Sequence, residues 1–238
     1  MKYRYILFDA DDTLLDFAKA EVMALRSLLR RYGCRCTENE EHAFVNLCDT
    51  LWLEFGLDNS VDPYISSHYH QLFYEYSVKR FSAFGERFHI GVPAGELSDQ
   101  YLRELSQCDF LTDGAYETCR RLALECTLSV VTNGLWSMQK TRFDRSPIGR
   151  FISNLIVSEN ARYPKPDRRF FEYAMRESGI RDKAATLIVG DSLSNDICGG
   201  SEFGIDTCWL NPKSSRNNAG VVPTFEIGSL HELARILS

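Results

Sequence analysis

The run Asp9-Ala10-Asp11-Asp12-Thr13 sets two carboxylates and a hydroxyl at alternate positions, directly after the short apolar stretch Tyr3–Phe8. Three further polar clusters share that setting. Thr132-Asn133 follows Thr127–Val131, Asp191 and Asp196 follow Thr186–Val189, and Lys165 lies in the loop beyond Leu155–Val157. Asp9, Asp11 and Asp191 offer hard anionic oxygens with no Cys or His among them. That donor set suits Mg2+, which takes octahedral oxygen ligands and keeps waters and substrate phosphate. Without a cation, carboxylates brought so close repel one another and one is driven to protonate. Lys165 adds a positive charge, and Thr132 and Asn133 add donors for phosphoryl oxygens. The set points to phosphoryl transfer, in which positioning and charge neutralisation do most of the catalysis. A carboxylate nucleophile at Asp9 would form an acyl phosphate and divide the reaction into two displacements. A second acid must then protonate the leaving alkoxide and afterwards deprotonate water. In an extended chain, residues i and i+2 face the same side, so Asp11 is the candidate for that role.

These groups make one site only if the fold brings them together. Four strand-like runs, Tyr3–Phe8, Thr127–Val131, Thr186–Val189 and Thr207–Leu210, alternate with helical patterns, and shorter runs occur at Leu155–Val157 and Thr224–Ile227. Such alternation implies βαβ units and an α/β fold with a doubly wound parallel sheet. Ligands of open parallel sheets bind outside the carboxyl ends of the strands, where all four polar clusters would meet. Between the first two strands the pattern is helical. Residues 16–32 carry apolar groups at near-helical spacing and stop at Gly33, Thr37 with Glu40 forms a capping box, and Asp62-Pro63 starts another helix. Two or three helices are expected between about residues 63 and 107. The expected organisation is an α/β core of residues 1–15 and 112–238, with residues 16–111 inserted as a helical cap.

The bulk properties fit an ordinary globular chain: 238 residues, 44% hydrophobic and 25% charged. A formal net charge of −6 argues against polynucleotide as a partner. No apolar run approaches the roughly 20 residues of a membrane helix, and the first apolar run is too short for a signal peptide. The expectation is a cytoplasmic protein with a small phosphorylated substrate, either monomer or homodimer. The eight cysteines are scattered without a C-x-x-C pair, which is consistent with free thiols in a reducing compartment.

Taken in order, Asp9-Ala10-Asp11-Asp12-Thr13, Val131-Thr132-Asn133-Gly134, Lys165-Pro166 and Gly190-Asp191-Ser192-Leu193-Ser194-Asn195-Asp196 resemble the four motifs of the haloacid dehalogenase superfamily. The helical insert after the first motif resembles that family's C1 cap. The resemblance implies Asp9 as nucleophile and metal ligand, and Asp11 as acid/base with its backbone carbonyl on Mg2+. It implies Thr132 and Lys165 as phosphate binders, Asp191 as a direct metal ligand, and Asp196 standing behind the ligands. Dehalogenases of the family lack the second Asp of the first motif, since halide departs without a proton, so Asp11 argues for phosphate. A β-phosphoglucomutase-like phosphosugar mutase, or a sugar-phosphate phosphatase, is the alternative.

Phe8–Leu14, Leu51-Trp52, Ser158-Glu159, Thr207–Asn211 and Ser229–Leu233 further resemble the family's bacterial pyrimidine 5′-nucleotidases. The implied substrates are nucleoside 5′-monophosphates. One departure is Arg162, where those relatives carry Gly. The cap is expected to choose the leaving group. Trp52, Phe55, Tyr64, His68, Tyr69, His70, Phe73 and Tyr74 are its aromatic and imidazole groups, although aromatics at helical spacing are ordinarily core.

Overall fold

The computed structural model describes residues 2–237. The chain divides into two compact units, Met1–Asp16 with Phe110–Ser238, and Phe17–Asp109. In chain order the elements begin with β1 (Tyr5–Phe8), α1 (Phe17–Arg31), α2 (Glu38–Glu54), α3 (Pro63–Arg87) and α4 (Ala94–Ser106). Then come α5 (Ala115–Leu122), β2 (Thr127–Thr132), α6 (Trp136–Arg145), β3 (Ile152–Val157), α7 (Ser158–Ala161) and α8 (Arg168–Glu177). The chain continues through β4 (Thr186–Gly190), α9 (Gly199–Phe203), β5 (Asp206–Leu210), β6 (Phe225–Ile227) and α10 (Leu230–Ile236).

The first unit is a six-stranded sheet of order β3-β2-β1-β4-β5-β6, with every pairing parallel. The winding runs from β1 through β2 to β3, then restarts on the other side with β4. The reversal therefore falls between β1 and β4, where an open sheet leaves a crevice at its carboxyl edge. Helices cover both faces, so the strands read as unbroken apolar runs. Ile6, Phe8, Leu128, Val130, Leu187 and Val189 pack with α5 and α10 residues on one face. Leu7, Val131, Ile156 and Ile188 pack against Phe170, Phe171 and Phe203 on the other. The strand expected at Leu155–Val157 begins earlier, at Ile152. After β4 the chain makes a π-helical turn at Leu193–Cys198 that leads directly into α9.

The second unit consists of α1 to α4, with no strand among its described residues. The Thr37–Glu40 capping box forms at the start of α2. Asp62 accepts from the Tyr64 and Ile65 backbone N–H groups ahead of Pro63, satisfying donors a helix start otherwise leaves orphaned. Trp52, Phe55 and Phe73 pack with Leu51, Leu57, Tyr69 and Tyr76 in a small core, which is the ordinary fate of aromatics at helical spacing. Tyr64 and Tyr74 are exposed, and the His68 ring stacks on Tyr64. Arg80 is buried among the rings of Phe44, Tyr76, Phe81 and Tyr101, whose negative faces attract its charge.

Candidate active site

β1 ends at Phe8, and Asp9 extends its ladder by one bond, its N–H donating to the Val189 carbonyl at 2.9 Å. The chain then reverses. Asp12 takes a positive φ of 58°, a conformation Asp tolerates better than most residues. The N–H groups of Leu14 and Leu15 both return to the Ala10 carbonyl. This turn leaves Asp9 buried at the carboxyl end of the central strand. Thr132 is the last residue of β2, and Asp191 follows directly on β4.

Lys165 joins these groups. Its ammonium donates to Asp9 Oδ1 at 2.6 Å and to Asp196 Oδ1 at 2.7 Å, and the residue is 1% exposed. One carboxylate oxygen from each of Asp9, Asp191 and Asp196 lies within 4.8 Å of the others. Asn133 holds the Lys165 backbone from both sides, accepting from its N–H at 2.7 Å and donating to its carbonyl at 3.0 Å. The Asn133 side-chain amide, expected to face a phosphate, is thus engaged by the lysine that needs positioning. The Ser192 N–H donates to Asp196 Oδ2 at 3.2 Å. Gly190 is needed for this arrangement, since a Cβ there would stand 2.2 Å from Asp196 Oδ2. Thr13 Oγ1 lies 3.4 Å from Asp191 Oδ1, and Trp209 Nε1 donates to the Asp191 carbonyl at 2.9 Å.

The charges are poorly matched. With all three carboxylates ionised, the single ammonium would leave two negative charges uncompensated, although Asp9 and Asp196 are buried and Asp191 is half-buried. Burial pushes the Asp9 carboxyl well above the usual carboxylate range; Lys165 pulls it down, while Asp196 and Asp191 add to the rise. Burial, then Asp196 and Asp12, push Asp191 up to about 7. Burial alone would weaken the hold of Lys165 on its proton, but Asp196 and Asp9 overcome it and the ammonium is held more tightly than usual. A divalent cation would supply the missing charge, and the donor oxygens are the hard type Mg2+ takes. The residues present therefore fit that ion.

Asp11 is outside this carboxylate cluster. Its Oδ1 accepts from Arg142 Nη1 and its Oδ2 from Gln139 Nε2 at 2.8 Å. Sequence reasoning missed Arg142, Gln139 and Trp209. An i, i+3 pair of Arg and Gln on a helix ordinarily marks a solvated face, and only the position of α6 shows that this face is buried. Arg162, the left-handed residue that ends α7 with φ 66°, is exposed.

Residues 3–204 match the family model of haloacid dehalogenase-like hydrolases. The chain belongs to that family. HAD-hydrolase YfnB of Bacillus subtilis is 33% identical, the match covering 100% of this chain and 96% of YfnB. A crystal structure of YfnB bound to magnesium superposes with a TM-score of 0.84 over 100% of both chains. Pyrimidine 5′-nucleotidase YjjG of Escherichia coli is 27% identical over 100% of this chain and 99% of its own length. Pyrimidine 5′-nucleotidase PynA of Streptococcus pneumoniae is 30% identical over 98% and 94%. This HAD chain is an enzyme, and its relatives place it among the family's phosphatases. Among its described residues no helix is long and apolar enough to cross a membrane, and all eight cysteines are free thiols.

Proposed function

We propose that the protein is a Mg2+-dependent phosphomonoesterase that hydrolyses nucleoside 5′-monophosphates through an aspartyl phosphate on Asp9. The observation that carries this reading is the buried Lys165 ammonium held between Asp9 and Asp196 at the reversal point of the sheet. It fixes one oxygen of Asp9 and directs the nucleophile's remaining lone pairs elsewhere. Lys165 and the Thr132 hydroxyl bind phosphoryl oxygens, and Asn133 keeps Lys165 in place. Asp9 attacks phosphorus as the bond to the leaving oxygen breaks, and Asp11 gives that oxygen its proton. Asp11 then takes a proton from the water that attacks the phosphorus and frees Asp9. Asp9, Asp191 and the Asp11 backbone carbonyl would hold the magnesium, with Asp196 behind them. When bound, the ion neutralises the carboxylates and draws charge from the phosphoryl oxygens.

The nucleotide preference rests on similarity to YjjG and PynA across the whole chain. A panel of uridine, thymidine and adenosine 5′-monophosphates with sugar phosphates, scored by phosphate release with Mg2+ or EDTA, tests it. Release is expected to favour the nucleotides, to require Mg2+, and to vanish in Asp9→Asn. Wild-type turnover in Asp9→Asn would exclude the mechanism, and preference for sugar phosphates would exclude the substrate class.

A further inference from the structure

Gln139 and Arg142 stand three residues apart on α6, so they share one side of the helix, and both are fully buried. Polar groups buried this deeply require partners, and these partners are informative. A guanidinium can only donate. Arg142 Nη1 donates to Asp11 Oδ1 and, at 3.2 Å, to Gln139 Oε1. The Gln139 carbonyl must therefore face Arg142, which settles the direction of its amide. The NH2 end is left to donate to Asp11 Oδ2 at 2.8 Å and to Thr132 Oγ1 at 3.5 Å. Two consequences follow from the donor directions. Each Asp11 oxygen receives a donor and keeps a second lone pair, on a side chain that is 25% exposed. The Thr132 oxygen accepts from Gln139, so its own hydrogen turns away from Gln139. The carbonyl it meets is that of Asn133, at a long 3.4 Å, a bond readily exchanged for one to a phosphoryl oxygen.

We propose that Gln139, oriented by Arg142, is a positioning residue whose single amide aims both the Asp11 carboxyl and the Thr132 hydroxyl. The proposal rests on the phosphomonoesterase reading above. In the first step the Asp9 oxygen–phosphorus bond forms, the bond from phosphorus to the leaving oxygen breaks, and the Asp11 proton passes to that oxygen. An alkyl alcohol leaves poorly without this proton, whereas p-nitrophenolate is stable as an anion. Losing the aim of Asp11 therefore slows an alkyl ester selectively. Losing only a packing contact slows both esters alike.

The test compares kcat/KM for uridine 5′-monophosphate and p-nitrophenyl phosphate, in Mg2+, on each preparation of wild type, Gln139→Leu, Gln139→Glu and Asp11→Asn. The ratio of the two constants does not depend on the fraction of protein folded. Gln139→Asn, which keeps the amide and shortens its reach, serves as a second variant should Gln139→Leu not fold. Mispositioning a general acid forfeits part of its roughly 10²–10⁴-fold contribution. The alkyl-to-aryl ratio is expected to fall about 10-fold or more in Gln139→Leu and in Gln139→Glu, since neither side chain offers the NH2 group that donates to Asp11 and Thr132. Both constants also decline together through Thr132. An unchanged ratio in the Gln139 variants, with a clear fall in Asp11→Asn, overturns the positioning role and leaves the phosphatase reading intact. No selective loss in Asp11→Asn, or a wild type that leaves both esters intact, removes that reading and the proposal with it.

Discussion

Replacing Lys165 by Met removes the ammonium from between Asp9 and Asp196 and leaves a side chain of similar length. The two contacts are 2.6 and 2.7 Å. At an effective dielectric of about 20, each corresponds to roughly 6 kcal/mol of Coulomb attraction before desolvation is counted. Lys165 is 1% exposed and Asp196 0%, so water cannot take the place of the lost donor. Removing one member of a buried pair costs about 3–5 kcal/mol net. For a chain of this size that is a fall in the unfolding midpoint of roughly 6–20 °C.

The pH dependence has a definite sign. Asp9 is already raised by burial, Asp196 and Asp191, and Lys165 is the group that pulls it down. Without Lys165 the native state holds more protons than the unfolded chain, whose carboxyls titrate near 3.8. Stability of the variant therefore falls as pH rises above that value, and its deficit is largest at alkaline pH and smallest at acid pH. The assay is thermal unfolding followed by circular dichroism in EDTA across pH, for wild type, Lys165→Met, Asp196→Asn and the double variant. A loss below about 1 kcal/mol, or a coupling with Asp196 below about 0.5 kcal/mol, would refute the buried ion-pair reasoning.

Gly190→Ala drives a methyl into the Asp196 carboxylate, where a Cβ would lie 2.2 Å from Oδ2. An overpacking cost of about 1–3 kcal/mol is expected in thermal unfolding, with weaker Mg2+ binding by calorimetry. In the helical unit, Arg26 donates to both Glu41 oxygens, at 2.5 and 2.8 Å, and these bonds hold the Glu41 carboxyl below its usual value of 4.5. Its stabilisation is present above that value and lost as pH falls through the lowered one. Glu41→Gln should lower the melting temperature at neutral pH and match wild type in strong acid. Magnesium at about 100 times its Kd should stabilise the wild type by about 2.7 kcal/mol. Asp191→Asn should lose most of that gain in the same melts.

Asp9, Thr132 and Asp191 were legible because each ends an apolar run, and a run that stops at a polar group after β-branched residues marks the carboxyl end of a strand. The parallel pairing was legible for the same reason, since strands alternating with helices imply βαβ units, whereas the strand order came only with the fold. Helix starts at Thr37 and Asp62 were readable from local chemistry alone, because a cap bonds only to its own first turn. The sequence by itself therefore determined which elements form and which polar groups sit at their ends.

Only the tertiary structure decided which of those groups touch. The ammonium of Lys165 comes from a loop, and nothing in its neighbours states that it lands between Asp9 and Asp196. Gln139 and Arg142 look like a solvated helix face until α6 packs and buries them against Asp11. Asn133 carries donors that suit a phosphate, yet its side-chain amide is engaged by the Lys165 backbone. The physical reason is common to all three cases. Local propensity acts over a few residues, whereas these bonds join positions from 7 to more than 100 residues apart, and only the folded sheet sets their distances.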